Sequence, residues 1–289
     1  MPLLFKRVKD IRNYLQELKC AKGKSIGFVP TMGYLHEGHK ELIRRSTLQN
    51  DITVVSIYVN PTQFAPSEDY NKYPRDLERD MAICEELNVD AVFAPSDKEM
   101  YPEGFGNTEV RVKDLESILE GEFRPTHFRG VLTIVLKLFN VVQPDRAYFG
   151  EKDYQQLKIV EKMVKDLLIP VQIIPVETVR EPDGLACSSR NVYLSPEERE
   201  SALSIYRSFL LAQEMFNQGE YKADVIKQEM KRFILSHPHI KKIDYIAITD
   251  PFLNPKEFVE VGDRILIALW VGNTRLIDNW KIKKPETQL

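Results

Sequence analysis

The chain has 289 residues, with 40 Lys+Arg against 43 Asp+Glu and a formal net charge of −3. At roughly 100–200 residues per domain, that length makes two domains or one large one. A composition 43% hydrophobic and 29% charged is that of an ordinary globular protein, and the near-neutral balance excludes the broad basic footprint that a nucleic-acid partner requires. The three cysteines, Cys20, Cys84 and Cys187, are far apart and odd in number. Neither a disulfide framework nor a Cys-x-x-Cys zinc knuckle is available, and a reducing, cytoplasmic setting is expected. The opening MPLLFKRVKD turns charged too early for a secretory segment. The most apolar stretch, Gly130 to Val142, is interrupted by Lys137 and falls short of the roughly 20 residues that span a bilayer, so no membrane partner is expected.

Short β-rich runs alternate with helical patterns up to about residue 175. Ser25–Val29 reads as a strand, Gly38–Leu48 as a helix, and Ile52–Val59 as a second strand. Pro74–Leu87 is helical, with Leu77, Met81 and Cys84 at three- and four-residue spacing. Ala91–Ala94 is a short strand, Thr126–Val142 a largely buried helix, and Arg146–Phe149 a strand. Asp153–Leu168 is amphipathic and helical, and Val171–Pro175 closes the series as a strand. This alternation predicts an α/β fold, a Rossmann-like, doubly wound parallel sheet covered on both faces. The pattern then changes. Glu181–Asn191 is polar and turn-rich, and Ser195-Pro196-Glu197-Glu198 opens a long helix with Ser195 as N-cap and Glu198 completing a capping box. A helix at Ala223–Leu235 leads to strands at Ile243–Thr249, Arg264–Trp270 and Thr274–Asp278. These read as a second, smaller α+β domain over 178–289, after a first domain over 1–177.

Four segments could carry chemistry. Pro30-Thr31-Met32-Gly33-Tyr34-Leu35-His36-Glu37-Gly38-His39 runs from a strand end to a helix start, where open parallel sheets bind ligands and a helix offers free N–H groups to an anion. Gly33 and Gly38 let backbone approach a phosphate, and His36 and His39, three apart, point to one side as donors. Gly33 and Gly38 have the spacing of a G-x-x-x-x-G-K-[ST] loop, but His39-Lys40 follows. The order His-Glu-Gly-His is also not the H-E-x-x-H of a zinc protease. Tyr58–Phe64 (YVNPTQF) places Gln63 beyond the second strand, where it could contact a ligand, and fits a plain turn equally well. Phe149–Gln156 offers Lys152 as a positive charge and Asp153 as a ribose-hydroxyl acceptor or a helix cap. Cys187-Ser188-Ser189-Arg190-Asn191 sets two hydroxyls beside an arginine, either an anion clamp or a hydrophilic linker. Together these donors suit a triphosphate, with catalysis by positioning and charge neutralisation at phosphorus.

The blocks VPTMGYLHEGH (29–39), YVNPTQF (58–64), RPTHFRGVLTIVLKLFNVVQPD (124–145), FGEKDYQQL (149–157) and DGLACSSRNVYLS (183–195) follow one another in an order that resembles the pantoate–β-alanine ligase (pantothenate synthetase) family. H-x-G-H alone marks only the wider nucleotidylyltransferase and class I aminoacyl-tRNA synthetase group. The resemblance implies an AMP-forming ligase that makes pantothenate, a coenzyme A precursor, through a pantoyl adenylate. Its substrates would be ATP with Mg²⁺, pantoate and β-alanine, and its habit would be a homodimer.

Position by position, Met32, Gly33, Tyr34, Leu35, His36, Glu37, Gly38 and His39 match the family's ATP-binding turn, with His39 in the general-acid position. Gln63 and Gln156 match the pantoate-binding glutamines. Gly150 and Asp153 match ribose contacts, Lys152 matches a phosphate contact, and Glu151 lies among them in the ATP-binding segment. Val179 matches a backbone contact to adenine. Ser188, Ser189 and Arg190 match the signature loop over the triphosphate. Cys187 stands where the family usually has Met or Leu, stays in the ATP-binding set, and places an oxidisable thiol beside that loop; Arg124 and His127 receive no catalytic role, and no metal ligand is identified. The runner-up readings are a nucleotidylyltransferase with AMP transfer as its final step, and a nucleotide-binding regulatory module.

Overall fold

The segment Ile52–Ile57 (ITVVSI) is mostly β-branched and buried on both faces, as a central parallel strand must be. It is one of six strands in the sheet of the computed structural model, which describes residues 1–285. Contacts divide the chain into two units, residues 1–151 with 156–177, and residues 152–155 with 178–289.

The first unit runs β1 (Leu3–Phe5), α1 (Val8–Gln16), β2 (Ile26–Thr31), α2 (Glu37–Gln49), β3 (Ile52–Ile57), α3 (Leu77–Glu86), β4 (Ala91–Phe93), α4 (Asp97–Met100), α5 (Glu120–Phe123), α6 (His127–Val142), β5 (Arg146–Gly150), α7 (Tyr154–Asp166, with Tyr154 and Gln155 counted in the second unit) and β6 (Gln172–Val176). The sheet order is β1-β4-β3-β2-β5-β6, and every pairing is parallel. Successive strands step outward from β2 through β3 to β4, and β5 then returns to the other side of β2, with Gly27 opposite Arg146. The order reverses between β2 and β5. In an open α/β sheet the crevice for ligands lies beyond the carboxyl ends of the strands at such a point.

Val29, Leu35, Ile43, Val55, Ile83, Cys84, Val92 and Tyr148 are among the buried residues of one core cluster. The helix α6 is buried over most of its length, including Leu132, Leu138 and Phe139. At the amino ends of the strands, carboxylates accept backbone N–H groups. Ser25 donates to Asp51 at 2.9 Å, Ile26 to Asp145 at 2.8 Å and Thr53 to Asp90 at 2.8 Å.

The second unit holds α8 (Pro196–Ala202), α9 (Ser204–Asn217), α10 (Ala223–Leu235), β7 (Ile240–Thr249), β8 (Arg264–Val271) and β9 (Thr274–Lys281). Its three strands form a separate antiparallel sheet in the order β7-β8-β9. Phe209, Ile226, Met230, Ile265 and Leu269 belong to its core. The Ser195–Glu198 capping box forms as the sequence predicts. The long helix it opens is broken at Leu203, where ψ tightens to −20°. Among the described residues no helix is long and apolar enough to cross a membrane.

Candidate active site

In the first unit, the turn after β2 is shaped by its backbone. Gly33 has φ +79° and Tyr34 φ +49°, so the turn uses left-handed conformations at two consecutive positions, one of them sterically unfavourable for a side chain. Thr31 begins it, its Oγ1 donating to the Ser56 carbonyl at 2.7 Å and accepting from Gly33 N–H at 3.1 Å. The Asp80 carboxylate on α3 accepts from Tyr34 N–H at 2.7 Å and Leu35 N–H at 2.8 Å. Arg79 donates to the Leu35 carbonyl at 2.8 Å and its guanidinium lies 4.8 Å from the Tyr34 ring centroid.

His36 is the N-cap of α2, with extended φ −123° and ψ 178°. Its Nδ1 accepts from Gly38 N–H at 3.1 Å, while His39 Nδ1 accepts from His36 N–H at 3.3 Å. The two rings lie 4.0 Å apart between centroids. An Nδ1 that accepts carries no proton, so each neutral imidazole carries its proton on Nε2. Both rings are thereby fixed as Nε2–H donors at the start of a thirteen-residue helix, the end at which backbone N–H groups and the dipole favour an anion. Glu37 is engaged elsewhere. It pairs with Lys40 at 2.9 Å and Arg44 at 3.4 Å, and the Lys40 hydrogen bond leads in holding its carboxyl below the usual range.

Gln63 lies in the short turn Pro61–Gln63 and is buried. Its Nε2 reaches the Met32 sulfur at 3.2 Å, and its Oε1 accepts from Asn60 at 3.2 Å. The structure therefore brings together two residues that stand 31 apart in sequence. Asn60, 1% exposed, also donates to the Gly130 carbonyl at 3.1 Å and accepts from Tyr101 OH at 2.7 Å. Gly130 is required for that approach, since a Cβ there would stand 2.5 Å from the Thr62 carbonyl and 2.6 Å from Gln63 N. His127, on the first turn of α6, contacts the Gln63 carbonyl at 3.0 Å through Nδ1. Arg124 forks onto Glu68 at 2.8 and 2.7 Å. Gly150 ends β5 opposite Val176, Glu151 opens the 3₁₀ turn that follows, and Gln156 is half-buried on the first turn of α7.

In the second unit, Lys152 pairs with Asp153 at 3.3 Å, and its carbonyl accepts from Asn279 at 2.9 Å. Arg180 and Ala186 form an antiparallel bridge, and Cys187 N–H bonds to the Val179 carbonyl at 3.0 Å. Arg180 holds this hairpin by forking onto Asp278 at 2.6 and 3.1 Å. Ser188 then caps a 3₁₀ turn, its Oγ accepting from Arg190 N–H at 3.2 Å, and Ser189 is buried. The Cys187 side chain is only 8% exposed. Burial of this kind opposes the oxidation that an accessible thiolate undergoes.

Asp80, Asn60 and the Arg180–Asp278 pair are not among the residues that the sequence singles out. For Asp80 a signal exists, since it falls between Leu77 and Cys84 on the predicted apolar stripe of its helix, and a charge there needs partners. Asn60 gives none, because Asn-Pro is a common turn opener.

The family model described as Pantoate-beta-alanine ligase matches residues 3–281. The pantothenate synthetase of Aquifex aeolicus (strain VF5) is 67% identical over 98% of this chain and 100% of its own length. A crystal structure of pantothenate synthetase from Thermus thermophilus matches with a TM-score of 0.91 and 47% identity, covering 98% of this chain and 100% of that one. A pantoate-beta-alanine ligase from Francisella tularensis, complexed with beta-gamma ATP and beta-alanine, matches with a TM-score of 0.79 and 36% identity over 97% and 98% of the two chains. The chain belongs to the pantoate–β-alanine ligase family.

Proposed function

We propose that this chain condenses pantoate with β-alanine at the expense of ATP, with the residues matched above in the following roles. A free carboxylate has no adequate leaving group, so the pantoate carboxylate first attacks the α-phosphorus of ATP. The bond to the β-phosphate breaks, pyrophosphate leaves, and a pantoyl adenylate remains. The neutral amine of β-alanine then attacks the acyl carbon, the bond to AMP breaks, and the amine proton passes to solvent. Each step needs positioning and charge neutralisation more than covalent help from the protein.

The observation that carries this reading is the double tautomer lock on α2. His36 and His39 both accept backbone N–H groups at Nδ1 and so offer Nε2–H to phosphate oxygens and to the pyrophosphate as it departs. Met32 to His39 hold the nucleotide, Lys152 adds a positive charge on the phosphates, Gly150 and Asp153 border the ribose, and Glu151 lies in the same ATP-binding segment. Val179 contacts adenine through its backbone, and Cys187, Ser188, Ser189 and Arg190 contribute on the triphosphate side. Gln63 and Gln156 bind pantoate, and Gln63 also borders β-alanine. Among the described residues no three His, Cys, Asp or Glu side chains are gathered as a metal site. Mg²⁺, brought in with the ATP, would neutralise phosphate charge.

Residues 1–177 would form the nucleotide- and pantoate-binding portion and 178–289 the smaller one. The same reading makes the enzyme a cytoplasmic homodimer, to be checked by sedimentation. Pantoate-dependent exchange of label between pyrophosphate and ATP, followed by pantothenate formation on adding β-alanine, is the test. Exchange without pantoate would favour the nucleotidylyltransferase, and no turnover at all would favour a regulatory module.

A further inference from the structure

The turn between β2 and α2 contains a buried anion of its own. Asp80 is 1% exposed, and both of its oxygens are taken by consecutive amides, Oδ2 by Tyr34 and Oδ1 by Leu35. Successive N–H groups in a turn with left-handed residues form a concavity suited to an anion. Here the protein supplies that anion itself. The turn is shaped around it, since a Cβ on Gly33 would stand 2.9 Å from Asp80 Oδ2 and 2.8 Å from Ile57. Arg79, the preceding residue of the same helix, completes the grip by donating to the Leu35 carbonyl and lying over the Tyr34 ring.

The next residue along the chain is His36. Its backbone N–H bonds to the His39 ring, and its own ring accepts from Gly38. A rotation of the 34–35 peptide would therefore displace the whole histidine capping box.

We infer that Asp80 is a positioning residue for adenylation, a carboxylate that fixes the turn so that the two imidazoles meet the departing pyrophosphate. The inference rests on the function proposed above. It also changes which groups face the nucleotide. The Tyr34 and Leu35 amides are committed to Asp80, so the phosphate donors of this turn are the imidazoles and the first turn of α2. Gly33 serves the carboxylate behind the turn in addition to any approach of backbone to phosphate.

The test is Asp80→Asn, in which one oxygen becomes an amide nitrogen that cannot accept. Positioning that acts on the transition state appears in kcat and leaves binding intact. Pantoate-dependent ATP–pyrophosphate exchange should fall about 100-fold in kcat, while KM for ATP and for pantoate stay within about threefold. Amide hydrogen exchange at Tyr34 and Leu35 should accelerate, with β2 and β3 still protected. Unchanged kcat would overturn the inference, as would loss of protection throughout the unit, the mark of a merely structural role. If Asp80→Asn does not fold, Arg79→Ala carries the test. Its half-exposed side chain can be removed without opening the core, and a fall of about tenfold in kcat with the same split is expected. No change in kcat would again overturn the inference. A wild-type protein without pantoate-dependent exchange would defeat the proposed function instead, and the amide protection would still report on the grip.

Discussion

At the amino ends of β2 and β3, Asp51, Asp145 and Asp90 accept backbone N–H groups, and beyond the carboxyl end of β2 Asp80 does the same. The bonds are alike in length, yet their surroundings separate them. Asp51 lies in solvent, and hydrogen bonds from the Ser25 backbone, the Ser25 hydroxyl and Lys24 hold its carboxyl down to about 2. Asp80 lies in the core, and burial pushes its carboxyl above the usual range despite the Leu35 and Tyr34 amides, which pull it down. Desolvation therefore decides the sign. One end of the sheet uses an exposed carboxylate to finish a strand. The other keeps a charged group in the core to shape a turn, an arrangement that function explains better than stability does.

Under the proposed function, the carboxyl end would serve turnover and the amino end folding. The largest expected effect follows from removing a donor at the carboxyl end. His39→Ala and Lys152→Ala should each lower kcat by about 10²–10³-fold, with little change in the midpoint of thermal unfolding, because neither removal opens the core. Near-native rates in either variant, measured by pantothenate formation, would break the division.

A smaller effect sharpens it through pH. The folded value for Asp51 lies below the ordinary 3.8, so its contribution to stability is complete above 3.8 and is lost as pH falls towards about 2. Asp80 is shifted the other way. Its contribution is present below 3.8 and is lost as pH rises through its raised folded value. Carboxyl ¹³C NMR titration should find the two groups on opposite sides of 3.8. Asp51→Asn should flatten the acid limb of stability without altering turnover at neutral pH. Titration of both groups on one side would remove the contrast.

Much of the fold was legible because periodicity reports burial directly. The helix α10 has the bounds that its apolar spacing predicts, Ala223–Leu235, and β3 begins at Ile52 as expected. The first elements, β1 and α1, were not. β1 is three residues long, and α1 buries only Ile11 and Leu15, too little pattern to stand out. The break at Leu203 has no letter to mark it, since leucine is a good helix former.

For the candidate site, the pairing of His36 and His39 at the start of α2 was legible because residue type, spacing and strand-end position agree. What the letters could not show is that both rings are held through Nδ1, or that Asn60 fixes Gln63. Those depend on contacts between distant segments, such as α6 meeting the Pro61–Gln63 turn at Gly130. Cys187 illustrates the converse, a residue type that reads as an oxidisable thiol in the letters and is buried in the structure.

The central claim is that pantoate is activated by its carboxylate oxygen at the α-phosphorus. Pantoate labelled with ¹⁸O in its carboxylate tests this directly, because that oxygen bridges to phosphorus and is released with AMP when the amide forms. Mass spectrometry of the products of a complete turnover should find one labelled oxygen in AMP and none in pyrophosphate. AMP without label, or label in inorganic phosphate, would contradict the account.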